Sequence, residues 1–217
     1  MNQALFLVLR VLFAEFTPAL AEVIGFAGNQ PGSLPVMFES ALTGKGAPGR
    51  WQVIEDRSAQ EGLTVAQLSP DKTSYRFLLA IYRPAVLKNV EARVRFKAVS
   101  GSVDQAGGLA VRLQNADNYY IARANALENN VRFCRVREGQ RQELAGANLK
   151  ATRGEWHTLS LRAQGSRFIV VFDGEPVIDT RDITFAFPGR VALWTKADSI
   201  THFERLEITA LADTGAQ

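Results

Sequence analysis

The stretch GLAVRLQNADNYYIARAN, residues 108–125, decides the fold class because it has the pattern of a β-hairpin. Apolar and polar residues alternate on both sides of the turn sequence NADN, and successive residues of a strand point to opposite faces. With residues 116 and 117 as the reversing pair, one face of the hairpin is apolar and is predicted to line the core. That face carries Leu109, Val111, Leu113, Tyr120, Ala122 and Ala124.

The opposite face of this hairpin is too polar to be buried between sheets without extensive pairing. If the chain continues through the next turn with Ala124 opposite Val131, Arg132 lies directly beside Arg123. Together with Arg112, these two side chains form a predicted cationic cluster. Like charges opposed across strands are destabilising, so acidic neighbours or an anionic or hydroxyl-rich ligand are expected against them. The alternative is a solvated surface with local ion pairs.

Residues 189–203, GRVALWTKADSITHF, form the second informative stretch. Alternation predicts that Val191 and Leu193 point into the core, so that Trp194 and Lys196 point outward. A tryptophan exposed beside hydrogen-bonding groups is suited to hold a sugar ring, because its apolar face stacks while its neighbours bind hydroxyls. The alternative is a tryptophan that plugs a corner of the fold under a loop.

Length and composition indicate one packed globular domain. The chain has 217 residues, of which 47% are hydrophobic and 22% charged, and this is enough apolar surface for a sizeable core. The net charge of +3 is small and acids are interspersed among the bases, so charge does not indicate a nucleic-acid partner. Cys134 is the only cysteine, which excludes an intrachain disulfide, and it is predicted to be a buried filler.

Ten short apolar-rich runs separated by turn residues predict an all-β antiparallel sandwich over residues 51–210. The runs are residues 63–68, 75–82, 90–99, 108–114, 119–126, 131–137, 155–163, 168–173, 190–196 and 200–208. Residues 22–50 are rich in glycine and proline and are predicted to be an irregular leading segment, and residues 211–217 a tail. Residues 1–21 are predicted to be a secretory signal peptide, with an amphipathic N-terminal helix as the alternative. The mature protein is then expected to be periplasmic or secreted, with no stable membrane insertion after signal cleavage.

Five segments carry motifs that occur in a fixed order, namely residues 107–112, 118–123, 154–161, 168–174 and 189–203. They closely resemble bacterial domains of the concanavalin A-like lectin/glucanase superfamily, nearest to the 3-keto-disaccharide hydrolase-like domain with its laminin G-like jelly roll. The resemblance implies a two-sheet jelly roll whose concave sheet carries a glycan groove. The positions that would line this groove are Arg112, Gln114, Tyr119, Arg123, Asn125, Arg132, Trp194 and Lys196.

The catalytic carboxylates of the superfamily's glucanases, Glu-x-Asp-x-x-Glu on one strand, are absent from this sequence. Glu204 and Glu207 come nearest to that pattern. Their odd spacing puts them on opposite strand faces unless a bulge lies between Phe203 and Leu206. Glu204 is therefore interpreted as a structural residue.

No metal or other cofactor is expected. His157 and His202 lie far apart in sequence and lack the spacing of metal ligands, and His157 is interpreted as an edge or packing residue. A calcium ion bound in a loop stays an open alternative, although the aspartates lack the Asp-x-Asp-x-Asp spacing of a dedicated calcium site. The carboxylates that would hold it are Asp117, Asp173, Asp179 and Asp182.

Three interpretations of different class stay open, with enzyme status undecided. In the first, an exported protein processes an oxidised or ordinary disaccharide, with Arg123 or Lys196 stabilising developing oxyanion charge. In the second, a non-catalytic module stacks a sugar on Trp194 and Tyr119. In the third, a laminin G-like domain contacts another exported protein through its rim loops. A saccharide is the expected ligand, nucleic acid is not an expected partner, and the oligomeric state is open.

Overall fold

The computed structural model describes residues 21–213, which form fifteen β-strands. The strands are β1 (Ala21–Ile24), β2 (Phe38–Gly44), β3 (Trp51–Glu55), β4 (Leu63–Gln67), β5 (Arg76–Leu87), β6 (Val90–Ser100), β7 (Ala106–Asn115), β8 (Asn118–Asn125), β9 (Asn130–Arg137), β10 (Gln140–Asn148), β11 (His157–Gln164), β12 (Arg167–Phe172), β13 (Glu175–Arg181), β14 (Gly189–Lys196) and β15 (Ile200–Ala210). Apart from Ala21, which begins β1, the predicted signal peptide lies outside the described residues. Within them, no helix is long and apolar enough to cross a membrane.

The strands form two antiparallel sheets that pack face to face, which confirms the predicted all-β sandwich. The eight-stranded sheet has the order β13-β12-β11-β6-β15-β4-β3, with β1 beside β15. The seven-stranded sheet has the order β10-β9-β8-β7-β14-β5-β2. Aromatic rings from the two sheets meet between them: the ring of Phe168 lies 4.4 Å from that of Tyr120 and 4.8 Å from that of Phe133. These residues belong to the main core of the protein.

Five strands lie outside the ten predicted runs: β1, β2, β3, β10 and β13. Since β2 and all of β1 except Ala21 fall within residues 22–50, the prediction of an irregular leading segment is wrong there. β4 pairs with residues 201–203 of β15, and β1 pairs with the part of β15 beyond them. β10 and β13 lie at sheet edges with mostly exposed residues, so they lack the apolar run that indicates a strand.

A bulge in β7 changes the direction of its last side chains. Val111 pairs with Tyr120 and Asn115 with Asn118, so β7 carries extra residues at this point. Arg112 adopts a φ of 49° within the bulge. The prediction that Leu113 lines the main core is therefore wrong, whereas the other five apolar positions of the hairpin do line it.

Candidate functional site

The face of the seven-stranded sheet that is turned away from the main core carries a second apolar cluster, here called the second core. It consists of Phe77, Leu79, Ile81, Ala106, Ala110, Leu113, Tyr119, Ile121, Cys134, Val136, Ala192 and Trp194. All of these side chains are buried, including the lone cysteine as predicted. The groove that the resemblance implies on this face is therefore filled by the protein's own side chains.

Two opposite corners of the seven-stranded sheet meet over the second core. The hydroxyl of Tyr75, next to β5, donates to the carbonyl of Gly139 in the β9–β10 turn and accepts from the backbone N–H of Arg141, at 2.8 Å in both cases. On β2, the hydroxyl of Thr43 lies 2.9 Å from that of Tyr119. Because β2 and β10 are the two edges of the sheet, these contacts close the sheet over its own concave face.

Trp194 is a core residue, and the prediction that it is exposed is wrong. Its side chain is 0% exposed, its ring centroid lies 5.4 Å from that of Phe77, and its Nε1–H donates to the hydroxyl of Tyr119 at 3.3 Å. Alternation places Trp194 correctly on the face opposite Leu193, but the closure of the sheet covers that face. Neither Trp194 nor Tyr119 can stack on a sugar in this structure.

The predicted cationic cluster does not form as a unit. Arg123 and Arg132 are cross-strand partners, as predicted. Arg112, which the bulge turns toward the main core, is buried and donates to the carbonyls of Lys88, Phe185 and Gly165 at 2.8, 3.0 and 2.6 Å. The prediction that Arg112 faces a ligand beside the other two arginines is therefore wrong.

Two further predicted groove residues lie apart from each other. Gln114 donates to the carbonyl of Pro188 at 2.9 Å, close to the end of the sandwich where Arg112 is buried. Arg132 forms an ion pair with Glu143 of β10 at 3.2 Å. These contacts tie neighbouring segments together and do not converge on one ligand position.

The other three predicted residues do come together, in a polar cluster at one end of the second core. The cluster consists of Asp104, Arg123, Asn125, Glu128, Asn130 and Lys196. The Lys196 Nζ lies 2.5 Å from one carboxylate oxygen of Asp104, and the Asn125 amide donates to the other at 2.7 Å. Burial raises the pKa of Asp104, which is 1% exposed, although Lys196 opposes the shift. The charged side chains of the polar cluster pair with one another, Lys196 with Asp104 and Arg123 with Glu128. The polar cluster therefore holds the β6–β7 and β8–β9 connections against the sheet.

The outer face of the eight-stranded sheet, in contrast, is polar and open. A first cleft of 310 Å³ lies on it, within the size range of small-ligand sites. It is lined by Gln60, Arg93, Arg95, Thr158, Arg205 and Glu207. Sheet strands β6, β11 and β15 supply most of these side chains, so the cleft is built on rigid elements.

Trp156 stands beside this cleft. The guanidinium carbon of Arg95 lies 4.7 Å from its ring centroid and the Lys97 ammonium 4.8 Å, both favourable cation–π distances. The indole N–H donates to the Ser58 hydroxyl at 3.0 Å. His157, the next residue, is buried, and alternation therefore turns the half-buried indole outward.

His157 anchors this segment from inside. Its Nε2 accepts the backbone N–H of Thr152 at 3.0 Å, so its Nδ1–H donates to the Asp173 carboxylate at 2.7 Å. Its ring also stacks on Phe172, with centroids 5.1 Å apart. The interpretation of His157 as a packing residue agrees with these contacts.

Asp56 fixes the loop that borders the same region. Its carboxylate accepts hydrogen bonds from Lys97 at 2.6 Å, from His202 at 2.7 Å and from Ser58. Burial favours the neutral form, but these hydrogen bonds outweigh it and hold the pKa of Asp56 below its ordinary value. Burial also lowers the pKa of His202, against the opposing effect of Asp56. These contacts hold the β3–β4 loop, residues 56–62, against the outer face of the eight-stranded sheet.

β15 contains a bulge between Phe203 and Arg205, within the interval in which a bulge would bring Glu204 and Glu207 to the same strand face. Both glutamates do lie on the outer face, near Arg95. Glu204 is buried, accepts the backbone N–H of Gln60 and forms an ion pair with Arg95, so its structural role agrees with the prediction. Glu207 lines the first cleft and pairs with Arg205 at 2.9 Å.

The four aspartates considered for calcium are engaged in separate parts of the molecule. Asp179 pairs with Arg167, Asp182 with Arg135, and Asp173 with His157, while Asp117 lies in the β7–β8 turn. Between residues 21 and 213, no three His, Cys, Asp or Glu side chains lie together in a way that could hold a metal ion.

The prediction missed the outer-face residues, although β6 carries a clear signal for them. Its sequence VEARVRFK alternates strictly, and Glu91, Arg93, Arg95 and Lys97 point away from the core. Trp156 could be placed on the same face by the alternation that starts at buried His157.

Comparison with known proteins shows the fold. No protein-family model matches the chain, and no curated protein does. The carbohydrate-binding module CBM66 of Bacillus subtilis is 21% identical, with 81% of this chain and 98% of that one covered and a TM-score of 0.63. The exoplasmic/lumenal domain of VIP36 is 15% identical over 91% and 92% of the two chains, with a TM-score of 0.61. A Bacillus subtilis protein of unknown function with a galectin-like fold is 8% identical over 88% and 100%, with a TM-score of 0.56.

These identities are low, so the likeness concerns architecture. The more specific resemblance of the sequence motifs to the 3-keto-disaccharide hydrolase-like domain stays a prediction. The chain shares the two-sheet antiparallel jelly-roll fold of these structures.

Proposed function

We propose that this protein is a saccharide-binding domain that holds its ligand in the first cleft, beside Trp156. The observation that carries the proposal is the half-buried indole next to the first cleft. A sugar ring offers an apolar face to an aromatic ring and hydroxyls to polar side chains, which Gln60 and Thr158 provide here.

The names of similar structures support this class of ligand. CBM66 is called a carbohydrate-binding module, and the VIP36 domain was determined in a Ca²⁺/Man-bound form. Their sequence identity to this chain is too low to transfer a binding site. The proposal therefore rests on the cleft of this chain, with the fold as background.

Binding without cleavage is the proposed mode of action. Glycoside hydrolysis commonly uses two carboxylates that flank the scissile bond. Of the side chains that line the first cleft, only Glu207 is a carboxylate, and it is paired with Arg205. We also propose that the domain acts outside the cytoplasm, in line with the signal peptide predicted for residues 1–21.

Screening on an array of neutral and acidic glycans tests the proposal. Trp156→Ala should lower the affinity for any captured glycan by roughly five-fold or more, since stacking on an aromatic ring is worth on the order of 1 kcal/mol. Phe187→Ala is the matched control, because Phe187 is 75% exposed and lies in the β13–β14 loop, away from the first cleft. It should leave the affinity unchanged. Capture that survives Trp156→Ala, or no capture of any glycan, would contradict the proposal.

A further inference from the structure

The outer face of the eight-stranded sheet carries two more clefts beside the first. The second cleft, of 220 Å³, and the third cleft, of 460 Å³, continue across β11, β12 and β13. The second is lined by Glu91, Arg93, Thr158, Ser160, Val171 and Gly174, and the third by Arg162, Gln164, Arg167, Ile169 and Arg181. Taken together, six arginines and two glutamates line the three clefts. Four of these arginines form ion pairs with Glu91, Glu204, Glu207 or Asp179, so arginines outnumber their acidic partners on this face by two.

The strand register opposes arginines directly on this face. Arg95 is the cross-strand partner of Arg205, and Arg167 is the partner of Arg181. Opposed like charges destabilise a sheet unless anions lie near them. Arg167 has such an anion in Asp179, at 2.5 Å, and the same carboxylate also interacts electrostatically with Arg181. Within residues 21–213, Arg181 forms no ion pair of its own and donates to the Ser166 hydroxyl at 3.2 Å.

Arg93 is the second such arginine: its cross-strand partner on β15 is Glu207, but that carboxylate is paired with Arg205. Among residues 21–213, its guanidinium forms neither an ion pair nor a side-chain hydrogen bond, and it lines both the first and the second cleft. Arg93 and Arg181 are both exposed. Two guanidinium groups are thus available to an external anion, one on the central strand β6 and one on the edge strand β13.

The spacing of these groups fits a ligand longer than one sugar ring. From β6, which carries Arg93, to β13, which carries Arg181, there are three strand spacings, which amount to about 14 Å. Half-buried Val171 and Ile169 lie between the arginines and offer apolar contacts for the C–H faces of sugar rings. Cations alternating with apolar side chains match a chain of sugar units that carries an anionic group on successive rings.

We infer that the outer face of the eight-stranded sheet binds an acidic polysaccharide, a chain of uronic or sulfated sugars that spans the three clefts. The inference rests on the proposed function and names its ligand class. A single-stranded nucleic acid fits less well, because such ligands are held by successive aromatic platforms. Among the described residues, none that lines the three clefts is aromatic, and Trp156 stands beside the first cleft.

The test compares three probes by calorimetry at several salt concentrations. They are an oligogalacturonate, the same oligomer with its carboxylates reduced to neutral alcohols, and a single-stranded oligodeoxynucleotide of equal charge. The variant is Arg93→Gln/Arg181→Gln. The control is Arg83→Gln/Arg137→Gln, which removes the same charge from exposed positions of the seven-stranded sheet.

The wild-type protein and the control should bind the oligogalacturonate, with an affinity that falls as salt rises. The double variant at Arg93 and Arg181 should bind it roughly ten-fold or more weakly, because each charge-assisted hydrogen bond is worth more than 1 kcal/mol. Equal loss in the control variant would overturn the inference, since net charge would then explain the binding. Equal binding of the oligodeoxynucleotide would overturn it in favour of a general polyanion surface.

A further outcome separates the inference from the proposed function. Tight, salt-independent binding of the neutral oligomer that is lost in Trp156→Ala would overturn the acidic ligand class while the saccharide-binding function stands. Failure of both oligomers and of every array glycan would overturn both.

Discussion

The concave face of the seven-stranded sheet and the outer face of the eight-stranded sheet obey the same alternation, yet they differ in accessibility. On β5 the residues that point away from the main core are Phe77, Leu79 and Ile81, and the sheet closes over them. On β6 the equivalent positions are charged and the face stays open. Alternation decides which side a residue faces, whereas the curvature of the whole sheet decides whether that side meets solvent.

Trp194 lies on the covered concave face and Trp156 on the open outer face. Replacing each by alanine should therefore give the largest difference in the free energy of unfolding. Trp194→Ala removes a fully buried indole from the second core and should destabilise the protein by about 3–5 kcal/mol. Trp156→Ala removes a half-buried ring with two cation–π contacts and should cost about 1 kcal/mol. Urea unfolding of both variants measures the difference. Equal losses would mean that the concave face is as accessible as the outer one.

The sequence predicted the fold class well because local alternation specifies strands and their facing. The pairing of Arg123 with Arg132 followed from it, as did the main-core positions of Leu109 and Tyr120. The bulge at Arg112 and the meeting of Tyr75 with Gly139 depend on contacts between distant residues, which alternation does not contain. The predicted groove was wrong for that reason.

The polar cluster at the rim of the concave face should give the next largest effect. Lys196→Met keeps the length of the side chain but leaves the buried Asp104 carboxylate without its ammonium partner. We expect a loss of about 3 kcal/mol at neutral pH, since breaking a buried ion pair leaves an uncompensated charge. Lys72→Met is the control at an exposed position and should change little.

The pH dependence of this loss has a defined sign. Burial raises the folded-state pKa of Asp104 above its ordinary value of 3.8, and removal of Lys196 raises the pKa further. The folded state of the variant thus favours the protonated carboxyl, so stability is retained at low pH and lost as pH rises. The deficit of Lys196→Met should grow between about pH 4 and about pH 7. A deficit that shrinks over this range would contradict the assignment of Asp104 as a buried partner of Lys196.

A smaller effect than that of Lys196→Met should come from the corner contact that closes the concave face. Tyr75→Phe removes a hydroxyl that joins Gly139 and the Arg141 N–H, while the ring stays 4.8 Å from that of Phe77. The expected cost is about 1–2 kcal/mol, because one backbone donor loses its partner. Hydrogen exchange should accelerate at the β9–β10 turn and leave β6 unchanged, since only the concave face depends on the corner. Uniform acceleration in both sheets would mean that closure of the concave face is not a local event.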